Sequence, residues 1–389
     1  MTKTITWKNL VGQERVKEAL STAFAHETLG HAYLFCGDDG TGKFLAALEL
    51  SMALLCTGAS KVPCYECDAC AKVLRYAHPD FHVIMPVSLE KEHRGKDGKL
   101  SAEGWNYLTS CVQERIARPY GPEKFRGVPS IPVEWVKEVN HTIVRGALSA
   151  RKNITLIDGV DSMNKESANA MLKTLEEPPA DTLMLLMTAR PQSVLPTIIS
   201  RCQILRFGAV PAPAIKAAMT ERFGAEGVSE QIIDEAVRFS MGSPGRALYM
   251  CENPSGELAG KAQGLIDLCV GADWQGIAAC VDDLAHQGDL DSHERLFMHM
   301  AYCLRGRFLR NMPVSETYID TQDMSAAAEK PDLPPLLDTY SFQRILNACQ
   351  DAVAALRSYG NISLVLVNYL ITLMEIMHGK QQQISRSRF

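Results

Sequence analysis

The 389-residue chain has no run of about 18 or more apolar residues, the length needed to cross a bilayer as a helix, so a membrane span is excluded as a reading. A secretory leader is not expected either. The opening MTKTITWKNLVGQE has no basic segment followed by an apolar one. Both absences predict a soluble, cytoplasmic protein that makes no use of a membrane. An excess of positive charge is missing too. Lys and Arg number 40 against 45 Asp and Glu, a formal net charge of -5. Such a chain is not expected to wrap nucleic acid by itself, so any DNA contact is expected to be shared with partners.

What is present is apolar mass and length. Hydrophobic residues make up 46% of the chain, enough to build real cores, and 389 residues exceed the usual single-domain range, so two or three domains are expected. Five β-rich apolar runs occupy the first half: HAYLF at 31–35, FHVIM at 81–85, NITLI at 153–157, TLMLLMT at 182–188 and QILRF at 203–207. Each reads as a buried strand. Stretches of helical spacing, such as 43–55 and 165–177, lie between them, and the alternation predicts an α/β fold with a parallel sheet covered on both faces. Residues from about 90 to 130 interrupt the pattern and read as an insert, with a helix-like stretch at 105–118. After Phe207 strand signals stop. Two short helices at 214–223 and 230–240 suit a small helical lid. From 256 onward the pattern is helical, as at 292–307 and 342–356, broken by a polar, proline-ended loop at 312–335 and closed by a frayed tail at 381–389.

Directly after the first long strand run comes Gly37-Asp38-Asp39-Gly40-Thr41-Gly42-Lys43-Phe44. Its glycines and lysine have the spacing of a phosphate-binding loop. Backbone N–H groups converge on phosphate oxygens, the helix N-terminus favours negative charge, and Lys43 reaches the β- and γ-phosphates. An ordinary glycine-rich turn is the plainer alternative. Two features, at positions 44 and 159, count against catalysis. The position after the lysine, where a Ser or Thr hydroxyl holds magnesium, is Phe44. Asp38 and Asp39 put negative charge beside the phosphates and are expected to weaken nucleotide binding. The run NITLI is followed by Asp158-Gly159, where an ATPase of this type carries Asp then Glu, so no carboxylate polarises the attacking water. Asp161 is the one nearby substitute, with helix capping or simple surface exposure as its ordinary explanation.

Four of the twelve cysteines cluster as Cys56-x7-Cys64-x2-Cys67-x2-Cys70. Four thiolates at this spacing can surround zinc tetrahedrally, and C-x-x-C-x-x-C also begins iron–sulfur runs. The other eight are scattered singly, as buried small hydrophobes are.

These motifs come in an order that resembles the clamp-loader branch of the AAA+ proteins over roughly residues 5–250. Leu10-Val11-Gly12-Gln13 is similar to that family's N-terminal box, IDGVDSMNKESANAMLKTLEEPP at 157–179 to its second nucleotide motif and following helix, Ser200-Arg201-Cys202 to its SRC motif, and GSPGRA at 242–247 to its second sensor segment. Motor subunits of gamma and tau type keep the hydroxyl and the Asp-Glu pair. A chain that keeps SRC while losing both is similar to the delta-prime family.

The resemblance implies an AAA+ P-loop sheet flanked by helices over 1–208, with a structural zinc knuckle at 56–70 and the further insert at about 90–130. A helical lid at 209–255 and an all-helical collar for oligomerisation at 256–389 follow. It implies a non-hydrolysing subunit of the DNA polymerase III clamp loader. Partners would be gamma/tau-type and delta-type subunits, the sliding clamp and primer-template DNA. By the same resemblance, Arg201 acts in trans as an arginine finger on a neighbour's ATP. Gly37, Gly40, Gly42, Lys43, Asp158, the first-sensor position Thr188 and the second-sensor Arg246 make up a degenerate nucleotide site. Cys56, Cys64, Cys67 and Cys70 hold zinc. Local readings compete at three positions: Arg201 as a surface ion pair, Thr188 as a good strand residue, and Arg246 as purely structural. The alternatives for the whole chain are a working ATPase, either motor subunit or other AAA+ remodeller, and a zinc-bearing DNA-recognition module.

Overall fold

The computed structural model describes residues 3–95, 98–121, 129–150, 152–254, 256–286, 292–293, 296–301, 303–304, 339–357 and 361–378. The expected loop at 312–335 and tail at 381–389 lie outside these, as do parts of the 90–130 insert and of the 292–307 helix. The chain divides into two compact units, Met1–Asn253 and Pro254–Phe389.

The first unit is built on a five-stranded, wholly parallel sheet. Its strands are β2 (Ala32–Cys36), β4 (Phe81–Ile84), β5 (Asn153–Ile157), β6 (Thr182–Thr188) and β7 (Gln203–Arg206), in the order β4-β5-β6-β2-β7. Strands covered on both faces must be apolar on both, and every residue of β2, β5 and β6 is buried. β7 departs from the expectation of five buried strands. Gln203, Ile204 and Arg206 are exposed, because β7 pairs only with β2 and forms an edge. A second, two-residue pairing joins β1 (Thr4–Ile5) to β3 (Lys61–Val62).

Between the strands run α1 (Glu14–Ala25), α2 (Lys43–Leu55), α3 (Asp68–Leu74), α4 (Ala102–Ala117), α5 (Val133–Val144), α6 (Lys165–Glu176) and the short α7 (Pro196–Ile199). Helix α2 is made of Ala, Leu, Met and other strong helix formers and is buried almost all round. It starts at Gly42, whose φ of 98° only glycine adopts without strain, and stops where Cys56 turns extended. Helix α4, within the insert, is no surface appendage. Ser101 caps it by accepting from the Gly104 amide at 3.1 Å, and Leu108, Val112 and Ile116 join the main core.

Three helices complete this unit around their own core of Ile215, Met219, Phe223, Ile233, Ala247 and Met250: α8 (Ala212–Phe223), α9 (Glu230–Phe239) and α10 (Pro244–Glu252). The third goes beyond the two short helices read from sequence. Pro244 sits in its first turn, and the Ser243 hydroxyl accepts from the Arg246 amide at 3.3 Å.

The described residues of the second unit are helical apart from short turns and helix ends. It includes α11 (Gly256–Val270), α12 (Trp274–His286), α13 (Thr339–Arg357) and α14 (Ile362–Met377), with Ile266, Cys269, Phe297, Ile345, Tyr369 and Leu373 among its core. Phe297 and Tyr369 meet edge-on with centroids 4.8 Å apart. No described helix is long and apolar enough to cross a membrane.

Candidate nucleotide site and metal centre

The parallel register brings the carboxyl ends of β2, β5 and β6 together, where ligands of such sheets bind. Cys36 pairs with Thr188, the Gly37 amide donates to the Thr188 carbonyl at 3.2 Å, and the Asp158 amide donates to Ile84 at 2.9 Å. Gly37, Gly40, Gly42, Lys43, Asp158 and Thr188 therefore meet at one edge, with α10 and Arg246 against them.

The loop's carbonyl oxygens are all taken by protein donors. Lys43 Nζ donates to Gly37 O at 2.6 Å and Asp38 O at 2.8 Å. Ser243 Oγ donates to Asp39 O and the Gly245 amide to Gly40 O, each at 2.9 Å, and Gln13 Nε2 donates to Thr41 O at 3.2 Å. The ammonium that would reach phosphate is thus turned onto its own loop. Burial pulls the Lys43 pKa below its ordinary value and Arg115 pulls the same way, against Asp39, Asp158 and Asp38.

Asp158 is not free for a metal either. Its Oδ2 accepts from Arg115 Nε at 2.9 Å, in a pair whose side chains are 13% and 11% exposed. Arg115 Nη1 donates to Pro119 O at 2.8 Å, and the guanidinium carbon lies 4.2 Å from the centre of the Phe44 ring. Tyr120, next to α4, accepts at its hydroxyl from the Val11 amide at 2.8 Å. Its backbone oxygen lies against Gly245, and its ring is so near Gly42 that a Cβ there would meet it at 3.3 Å. Sequence reasoning recognised the helix carrying Arg115 and the turn after it, and passed over both residues. No local spacing connects Arg115 with Asp158, 43 positions on.

At Gly159 the missing carboxylate is built into the backbone. Its φ is +58°, and a Cβ would lie 2.7 Å from Pro86 Cγ, so a glutamate there is strained twice over. Asp161 is neither a helix cap nor a surface residue. With its side chain 5% exposed, it accepts from Thr188 Oγ1 at 2.6 Å and from Arg190 Nε at 2.9 Å. Thr188 in turn accepts from the Arg190 amide at 2.9 Å. Arg201 stands apart, just after α7. Its Nη2 pairs with Glu176 at 2.7 Å and its Nη1 donates to Thr197 O at 2.8 Å, with one third of its side chain exposed. Arg246 is half-buried in the first turn of α10.

The cysteine cluster closes up between the end of α2 and the start of α3. The sulfurs of Cys56, Cys64, Cys67 and Cys70 lie within 4.8 Å of one another. Cys56 Sγ is 3.5 Å from Cys64 Sγ and 3.8 Å from Cys67 Sγ. A tetrahedral zinc with bonds of ~2.3 Å sets its sulfurs ~3.8 Å apart, so the thiols present fit such an ion. Amides of Gly58, Cys67 and Cys70 point at Cys56, Cys64 and Cys67 sulfurs, at 3.2, 3.3 and 3.5 Å, and favour thiolates. Burial opposes ionisation of Cys67, but hydrogen bonds from Thr57, the Cys70 amide and Cys64 prevail and bring its thiol down to about 5.

The model of the family described as "DNA polymerase III, delta subunit" matches residues 12–211. DNA polymerase III subunit delta-prime of Bacillus subtilis (strain 168) is 31% identical over 219 residues, which are 56% of this chain and 54% of that protein. DNA polymerase III subunit tau of Salmonella typhimurium (strain LT2) is 33% identical over 198 residues, 51% of this chain and 24% of that protein. The chain spans about half the length of the delta-prime relative it matches, and less of the tau subunit. Among solved structures, a gamma-subunit-related protein of DNA polymerase III from Thermotoga maritima superposes with a TM-score of 0.42 at 14% identity, over 95% of this chain and 100% of that one. That superposition is too loose to carry weight.

Proposed function

The chain belongs to the DNA polymerase III delta-subunit family, and from that premise we propose that it is a clamp-loader subunit of delta-prime type that hydrolyses no ATP itself. Its role in a ring of gamma/tau-type and delta-type subunits is to complete a neighbour's ATP site with Arg201. The ring then opens a sliding clamp for placement on primer-template DNA, with the helical second unit serving as the oligomerising collar. The observation that carries the non-hydrolysing part is the state of the two magnesium ligands. Phe44 has no hydroxyl to offer, and the Asp158 carboxylate is engaged by Arg115 at 2.9 Å. Asp161, the substitute base, is held by Thr188 and Arg190.

Arg201 suits the finger because it is partly exposed and lightly tethered. Its partner Glu176 is itself half exposed, so the pair costs little to open when a more highly charged γ-phosphate comes within reach. The guanidinium then offers paired N–H donors to the oxygens on which charge develops during phosphoryl transfer. Cys56, Cys64, Cys67 and Cys70 would hold zinc with no open position, and the ion would tie the end of α2 to α3 and stabilise the fold, without chemistry.

The test is ATP turnover by the pure chain, then by a gamma/tau-type subunit assembled with wild type or Arg201→Ala. The pure chain is expected to be silent. Arg201→Ala is expected to slow turnover at the site it completes by on the order of 10³-fold while assembly persists. ATP hydrolysis by the pure chain that Lys43→Ala abolishes would make it a motor subunit instead.

A further inference from the structure

In a phosphate-loop site, magnesium is held by the hydroxyl after the lysine and by the aspartate at the end of a neighbouring strand. In this chain those two positions are Phe44 and Asp158, and a single guanidinium touches both. We propose that Arg115 is the resident cation of this site, standing where magnesium would stand, and that together with Tyr120 it locks the loop in one nucleotide-free conformation. The proposal rests on the reading of the chain as a subunit without its own ATP turnover, and adds a built-in occupant to what otherwise reads as the loss of two side chains.

The chemistry of the three residues is mutually matched. Arginine stays charged at any physiological pH, so it neutralises Asp158 permanently rather than on demand. Its Nε faces the carboxylate at 2.9 Å, its Nη1 reaches the Pro119 carbonyl at 2.8 Å, and its guanidinium carbon lies over the Phe44 ring, 4.2 Å from the centre. A hydroxyl at position 44 would bind a metal. A ring there attracts a cation over its face instead, so Phe44 complements Arg115 as well as removing a magnesium ligand.

Tyr120 sits 5 residues after Arg115 and bridges three elements that enclose the loop. Its hydroxyl takes the Val11 amide, its ring lies against Gly42 at the start of α2, and its backbone oxygen lies against Gly245 of α10. The lid is docked on the same loop through Ser243 and Gly245, which claim the carbonyls of Asp39 and Gly40. Magnesium and a nucleotide would have to expel Arg115 from Asp158, turn Lys43 off its own loop and lift Tyr120 away from Gly42. With the guanidinium in place, a magnesium ion on the same carboxylate would meet a like charge at close range and bind more weakly.

Binding of a fluorescent ATP analogue to the full chain tests this, with and without magnesium, for wild type, Phe44→Thr and Phe44→Thr/Arg115→Gln. Unfolding temperature is read in parallel. Phe44→Thr restores the hydroxyl but leaves the cation's place filled, so it is expected to bind no better than wild type. The double variant is expected to gain magnesium-dependent affinity of at least about tenfold. Tight binding by wild type or by Phe44→Thr alone overturns the proposal, and so does the lack of any gain in a folded double variant. If either variant fails to fold, wild type decides. Millimolar magnesium and ATP leave its unfolding temperature unchanged if the site is filled from within, and a rise overturns the idea. All of these signals come from the chain's own site, whereas the Arg201 reading is judged on a neighbour's turnover, so either can fail without the other.

Discussion

Helix α2 carries a candidate cation site at each end, and the two have opposite fates. At its N-terminal end the phosphate loop is preserved in spacing, but the ligands for a metal are gone or occupied: Phe44 stands for the hydroxyl and Arg115 holds Asp158. At its C-terminal end Cys56 joins Cys64, Cys67 and Cys70 in a set of four sulfurs within 4.8 Å, with backbone amides supporting the thiolates. One end keeps the outline of a site without its donors. The other has a complete donor set. On the two proposals made above, the difference lies in who supplies the positive charge: a protein side chain at the first end, an ion taken up from outside at the second.

The largest expected effect comes from the second end. Free structural zinc knuckles draw on the order of 10 kcal/mol from their metal. Here part of the local order is kept by Val62, Cys70 and Val73, which are packed in the main core. Cys70→Ser, or chelation of the wild type, is expected to release about one equivalent of metal and lower the unfolding midpoint by roughly 15 °C. Metal analysis with a thermal melt checks it. A chain that carries no metal and melts alike with and without chelator would make the cluster four ordinary thiols, two buried and two half-buried, and the contrast between the two ends would collapse.

At the first end the expected effect is smaller and of another kind. Removing one partner of a buried ion pair leaves the other uncompensated, so Arg115→Ala is expected to cost about 3 kcal/mol. Replacing both partners at once, as Arg115→Met/Asp158→Leu, is expected to recover most of it, because an apolar pair of similar size escapes the desolvation penalty. Denaturant unfolding of the singles and the double closes the cycle. If Arg115→Ala proves neutral, the pair is a surface contact and the guanidinium does not stand in for a metal.

What the sequence made legible follows the same divide. The four cysteines were visible as a site because three of them lie within 7 positions and the fourth is close by. β5 and β6 matched their sequence runs to the residue, since strands buried on both faces are continuous apolar runs. QILRF looked the same, yet β7 lies at an edge with Ile204 exposed, and an apolar run cannot tell a central strand from an edge one. The β1–β3 pairing is two residues long and has no period to read. Helix α10 was hidden by Pro244 and Gly245, which look like turn residues until Ser243 is seen capping them. Arg115 was out of reach for a deeper reason. Its role depends on Asp158 and on the ring of Phe44, 71 positions back along the chain, and only the folded sheet brings them together.

Between the two ends lies Glu49, a third way of handling charge on the same helix. It is 1% exposed. Its Oε1 accepts from Tyr65 of the knuckle at 2.5 Å and from the Asn9 amide at 2.9 Å, while its Oε2 finds no hydrogen bond among the described residues. Burial pushes its pKa above the ordinary carboxylate value, against the pull of Tyr65 and Asn9. The folded state therefore holds the Glu49 proton more tightly than the unfolded one. Its stabilising share is complete below the ordinary glutamate value and is lost as pH rises through the raised one, so at pH 8 the charge is a burden. Glu49→Gln keeps an acceptor for Tyr65 and Asn9 and removes that charge. It is expected to stabilise the first unit by about 1 kcal/mol at pH 8, roughly 2–4 °C in the melt, with the gain shrinking to nothing as pH falls below the ordinary glutamate value. A loss of stability at pH 8 would mean that Tyr65 and Asn9 bind the ionised form well enough to outweigh burial, and that α2 carries a paid-up charge at its middle as it does at its first turn.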